Sequence, residues 1–247
     1  MTTPPVFVVS VEALAVSPIV VDGDEGHHAA TVRRLQVGER VDLVDGSGGR
    51  VHGTVVAVRP HSIEVEVVER LPEPAPQPRL VVVQALAKGD RGERAVESLT
   101  EVGVDVIVPW AASRSVVEWR GERGTRALER WRSVAREAAK QARRAHFPYV
   151  TALSTTSDVA RTVADAARAL VLHEEAERPL SSYDLPLTGD VILVVGPEGG
   201  ITPEELRSFE AAGGSLALLG PTVLRTSTAG VVAASIVLAR ARWSGAT

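Results

Sequence analysis

Val191-Ile-Leu-Val-Val-Gly196-Pro-Glu198-Gly-Gly200-Ile-Thr202-Pro203-Glu-Glu205-Leu206 passes from an apolar run through a glycine turn into a helix start. A continuous run of Val, Ile and Leu is the pattern of a strand buried on both faces. The helix start is signalled three times: Thr202 suits the N-cap, Pro203 suits the first helical position, and Glu205 completes a capping box. In open α/β sheets, ligands bind at strand ends that lead into such loops. A phosphate favours a helix N-terminus, but Glu198 inside the loop repels a dianion. Neither G-x-x-x-x-G-K-[ST] nor G-x-G-x-x-G occurs in the chain, so the common phosphate cradles are absent. An adenosine-type ligand carrying positive charge fits better; a tight structural turn without a ligand is the alternative.

A second segment repeats the pattern. Leu216-Ala-Leu-Leu-Gly220-Pro221-Thr-Val-Leu224-Arg225-Thr226-Ser-Thr228-Ala229-Gly230 reads as strand, Gly-Pro turn and a helix start rich in hydroxyl caps. Arg225 falls in the loop, where an active-site charge would be presented; an ion pair with a carboxylate such as Glu198 is the plainer reading. The helix that follows, Ala229 to Ala239, is small and apolar nearly all round and so must be buried, in a core or a dimer seam.

The rest of the chain alternates likewise. Leu80–Leu86, Val104–Pro109, Ala169–Leu172, Asp190–Val195 and Ser215–Leu219 read as strands. Helices are expected at Glu93–Val102, Thr125–Arg144, Ser157–Ala169 and Glu204–Ala212. Alternating strands and helices imply an α/β domain with a mostly parallel sheet covered on both faces. Ahead of it, Val6–Val9, Arg40–Val44, Val51–Val58 and Ser62–Val67 are short strands at the spacing of a small β-barrel, with a short helix at His27–Leu35. Leu71-Pro-Glu-Pro-Ala-Pro-Gln-Pro-Arg79 cannot be helical and reads as a stiff linker. The expected organisation is therefore a β domain at 1–71, a linker at 72–79 and an α/β domain at 80–247.

Composition removes several chemistries. The chain has no cysteine, which excludes disulfides, thiolate metal sites and a thiol nucleophile. Its six histidines show no metal-ligand spacing, so no metal is expected. The absence of a long apolar run and of a signal-peptide pattern points to a cytoplasmic protein that does not enter a membrane. The net charge of −4 argues against nucleic acid, but its distribution does not. Between Arg114 and Arg144 there are ten Arg and Lys against four acids. Such a stripe is the footprint of an RNA or DNA site, or else a solvated, salt-bridged helix face.

Gly196-Pro-Glu-Gly-Gly200 followed by Leu219-Gly-Pro-x-x-Leu-Arg-x-x-Thr-Ala229 resembles the SPOUT (trefoil-knot) methyltransferases, and more narrowly the RsmE family. His27-His-x-x-x-Val32-x-Arg34-x-x-x-Gly38, Glu101-Val-Gly-Val104, Ser113-Arg-Ser-Val116 and Glu137-Ala-Ala-x-Gln141-Ala-Arg143 resemble other motifs of that family. The likeness thus runs along nearly the whole chain. It departs from the family pattern at Ser227, where Glu is usual, at Arg33, where Leu is common, and at Thr100-Glu101.

The resemblance implies a knotted α/β domain behind a PUA-like β domain. It implies a homodimer that transfers a methyl group from S-adenosyl-L-methionine to N3 of a uridine in 16S rRNA, within the small ribosomal subunit. Leu172, Gly196, Gly199, Gly200, Ile201, Leu219, Gly220, Leu224 and Thr226 would bind the cofactor. Arg225 would stabilise charge on the base, and Glu198, or else Glu174, would accept the proton. Arg33, Arg34, Arg114, Arg132, Arg136, Lys140 and Arg143 would hold RNA. Trp110, Trp119 and Tyr149 are candidates either for base stacking or for core packing. Ribose methylation of another RNA and a non-catalytic assembly role are the alternatives.

Overall fold

The computed structural model describes residues 3–243, which divide into two compact units, 3–75 with 139–147 and 76–138 with 148–243. The first unit is built of short strands: β1 (Val6–Val8), β2 (Ile19–Val21), β3 (Arg40–Val44), β4 (Arg50–Arg59) and β5 (Ser62–Arg70). They form one mixed sheet in the order β1-β3-β4-β5-β2, with β1 parallel to β3 and the other pairs antiparallel. Alternation along β5 sends Ile63 and Val65 inward onto Ile19, Leu43, Val55 and Phe7. Two short helices, α1 (Val11–Leu14) and α2 (Gly23–His27), complete the unit, and α2 widens into one π-type turn over His28–Val32. The helix expected at His27–Leu35 therefore starts earlier and ends earlier.

The second unit contains β6 (Arg79–Ala85), α3 (Arg91–Val102), β7 (Val106–Trp110), α4 (Gly121–Gln141), β8 (Tyr149–Val150), α5 (Thr156–Ala164), β9 (Arg168–Leu172), β10 (Asp190–Val195), α6 (Pro203–Ala211), β11 (Ser215–Ala217) and α7 (Thr226–Ala241). The last turn of α4, from Ala139, falls in the first unit by the division above. The six strands form an all-parallel sheet in the order β11-β9-β10-β6-β7-β8. Successive residues of β6 point to opposite faces: Leu80 and Val82 join one core with α3 and α7, and Val81, Val83 and Ala85 join another with α5 and α6. α7 packs on α3, β6 and β10, which is why its residues are apolar on every side. Arg242 closes its far end through the carboxylate of Asp105 and the carbonyls of Pro78 and Gly103.

Two expectations need correction. The helix predicted to reach Ala169 stops at Ala164, because Arg168–Leu172 pairs with β10 and β11. The segment 80–247 is not one unit, since 139–147 packs with the β domain. Of the two readings offered for Trp110, core packing holds: it is fully buried, edge-on to Phe209, and its indole N–H donates to Thr156. Trp119 likewise packs edge-on against Trp131, whereas Tyr149 is exposed. No helix among the described residues is long and apolar enough to cross a membrane, and no cluster of metal-ligating side chains occurs among them.

Candidate active site

The loops that follow β9, β10 and β11 converge on one cleft of about 660 Å³ in the second unit. Every residue predicted to hold a cofactor lines it: Leu172, Gly196, Gly199, Gly200, Ile201, Leu219, Gly220, Leu224 and Thr226. Arg225, Glu198, Glu174 and Arg114 line it too. This placement follows from the all-parallel sheet, which brings the carboxyl ends of neighbouring strands to the same edge.

The first glycine loop is held from three sides. Gly200 has φ of +75° and donates to the carbonyl of Pro197 at 2.9 Å; a side chain there would be strained. Arg114 donates to the carbonyl of Gly199 at 3.0 Å. Below the loop, Glu205 makes the expected capping box with Thr202 and also accepts from the Ser113 amide (2.8 Å), the Ser113 hydroxyl (2.9 Å) and the Thr156 hydroxyl (3.1 Å). Burial raises the Glu205 pKa, but the hydrogen bonds from Thr202, Ser113 and Thr156 outweigh it and leave the group below its usual range. Glu205 thus anchors the chain segment that carries Arg114.

Glu198 is paired with Arg91 at 2.9 Å, not with Arg225. Burial raises its pKa, and the Arg91 hydrogen bond with backbone donors more than reverses the effect. A carboxylate held below its ordinary range is a weaker base, so the structure weakens the expected role of Glu198 as proton acceptor. Arg91→Met is expected to move the Glu198 pKa upward, because desolvation then acts with less opposition; a carboxyl-carbon NMR titration reads the shift. Arg225 is exposed and, among the described residues, its guanidinium makes no hydrogen bond or ion pair. The ion pair offered as its plainer reading is therefore absent.

His173, between the expected site residues Leu172 and Glu174, also lines the cleft. Its Nδ1 accepts from the Glu175 amide at 3.2 Å, so the neutral ring carries its proton on Nε2. Position 227, in the first turn of α7, holds Ser, and nothing in the structure explains the departure from the usual Glu.

The basic residues fare unevenly. In the first unit, Arg33 and Arg34 are exposed and their guanidinium groups have no partner among the described residues. Lys140 is instead a half-buried member of an ion pair with Glu25 at 2.8 Å, with about 15% of each side chain exposed, so it is not a free phosphate contact. Arg143 has φ of +58° and donates to the Thr3 carbonyl. In the second unit, Arg132 pairs with Glu129 and Arg130 with Glu93, while Arg136 is exposed and has a partner of its own. Much of the stripe is thus neutralised locally.

A family model described as an RNA methyltransferase domain matches residues 73–238, and one described as an RNA methyltransferase PUA domain matches residues 21–68. A ribosomal RNA small subunit methyltransferase E of Mycobacterium bovis is 45% identical over 229 residues, covering 91% of this chain and 87% of that one. The chain belongs to the ribosomal RNA small subunit methyltransferase E family. The Bacillus subtilis member is 28% identical, with 88% of each chain covered. A methyltransferase from Legionella pneumophila, solved with bound S-adenosylmethionine, superposes with a TM-score of 0.84 at 26% identity, covering 97% of this chain and 98% of that one. Family membership accounts for the fold class: a PUA-like half-barrel joined to a SPOUT domain with an all-parallel sheet.

Proposed function

We propose that the chain methylates N3 of a uridine in 16S ribosomal RNA, in the small ribosomal subunit, with S-adenosylmethionine as donor. The observation that carries this reading is the cleft: two glycine loops, apolar walls from Leu172, Ile201, Leu219 and Leu224, and an exposed Arg225 with no partner among the described residues. The acidic lining from Glu174, Glu175 and Glu198 suits a sulfonium cation and repels phosphate. The names of the relatives support ribosomal RNA as the substrate class.

The bound donor supplies an already activated methyl group. The residues of this chain hold and orient. The glycine loops admit close backbone approach to the adenosine part, and His173 offers an Nε2–H donor. Uracil N3 must lose its proton to become a nucleophile, and Arg225 stabilises the negative charge that spreads onto the uracil oxygens. Glu198, kept ionised beside Arg91, contributes negative charge toward the sulfonium and is a weak proton acceptor; solvent takes the proton. Arg33 and Arg34 grip phosphate, which positions the RNA without choosing the base. A homodimer formed through the cleft-bearing region belongs to the same reading, with the exposed Val223 of the cleft lining as an apolar contact.

Purified protein is expected to transfer labelled methyl groups to small ribosomal subunits from a strain lacking the modification, and nucleoside mass spectrometry should find N3-methyluridine. A ribose-methylated product, or none at all while the donor still binds, overturns the target.

A further inference from the structure

Gln84 is the one polar side chain in the apolar run Leu80–Leu86. It is fully buried in the central strand β6, in register with Val195 of β10 and Pro109 of β7. Its Nε2 donates to Thr226 Oγ1 at 3.0 Å, with longer approaches to the carbonyls of Ala85 and Thr226. The Thr226 hydroxyl donates in turn to the Gly196 carbonyl at 2.7 Å. The direction of this chain is fixed chemically. A carbonyl only accepts, so the single Thr226 proton is committed to Gly196, and the hydroxyl must accept from Gln84. The amide therefore presents its NH₂, and its Oε1 is left buried without a partner among the described residues. That oxygen faces the backbone of α7, since a Cβ placed on Gly230 would lie 3.3 Å from it.

An unpaired buried carbonyl costs stability, and methionine would fill much the same space without that cost. Stability alone gives no reason for glutamine at this position. What glutamine adds is a rigid link. Gly196 opens the first glycine loop at the end of β10, and Thr226 follows Arg225 at the start of α7. We infer that Gln84 is a positioning residue that sets the spacing of the two glycine loops and the placement of Arg225. This inference rests on the assignment of the cleft as the cofactor site.

Gln84→Met and Thr226→Val break the same link from opposite ends with little change of shape, and the full-length chain is the protein to test. In either variant, without ligand, amide hydrogen exchange should quicken at 196–201 and 219–225 and stay unchanged elsewhere. The thermal midpoint of Gln84→Met should be unchanged or raised. S-adenosylmethionine should bind about tenfold more weakly by calorimetry, and the double variant should be no weaker than Thr226→Val alone. Unchanged exchange at both loops with unaltered affinity overturns the inference. So does faster exchange throughout with a lowered midpoint, which marks a purely structural role. If the unmutated chain binds no S-adenosylmethionine but Gln84→Met still loosens the two loops, the positioning role stands and the cofactor assignment fails.

Discussion

Arg225→Ala is expected to slow methyl transfer about 100- to 1000-fold, the usual loss when one donor to a developing anion is removed. The thermal midpoint should not move, because the Arg225 side chain is exposed and has no partner among the described residues. Donor affinity should change little if the guanidinium serves the base and not the cofactor. Arg225→Lys separates charge from shape: an ammonium keeps the charge but loses the planar fork, so partial activity is expected. Single-turnover assays with saturating donor, paired with thermal melts, read both parts. An alanine variant with normal turnover removes Arg225 from the chemistry.

Glu205→Ala has the largest expected effect on stability, about 3 kcal/mol, because it removes one buried carboxylate that accepts several hydrogen bonds at once. The Thr202 and Ser113 amides and the hydroxyls of Ser113 and Thr156 all lose the same carboxylate. Loss of cofactor affinity should follow, since Ser113 no longer anchors the segment from which Arg114 braces Gly199. The same carboxylate makes the fold sensitive to acid. Its folded-state pKa lies below the ordinary 4.5. Its stabilising contribution is therefore complete above that value and is lost as pH falls through the folded-state pKa. Denaturant titrations at pH 7 and pH 4 should show a smaller difference for Glu205→Gln than for the unmutated chain.

Local signals carried much of this structure. The Thr202-Pro203-x-Glu205 cap, the apolar run of β10 and the two glycine turns are each set within a few residues, so their sequence reading agrees with the coordinates. Elements shaped by distant partners were not legible. β2 and β8 are three and two residues long and owe their existence to β5 and β7. Arg91 meets Glu198 across 107 positions, and Lys140 meets Glu25 across 115. No periodicity encodes such pairings, and a count of basic residues overstates the charge left for RNA. Gln84 was invisible for a related reason: one polar residue in an apolar strand gains meaning only when its hydrogen-bond partner is seen.

The burial of α7 has a consequence for how the protein is made. The helix is synthesised after every other element of the described residues, yet it packs on α3 and β6, the first helix and strand of its own unit. Until residues beyond Thr226 emerge, Leu99 and Val195 lack the cover that α7 gives them, and Gln84 has no Thr226 to hold. Folding of the unit therefore waits until α7 has been made. A nascent chain stalled before α7 should be protease-sensitive and inert, so activity waits for the synthesis of this one helix.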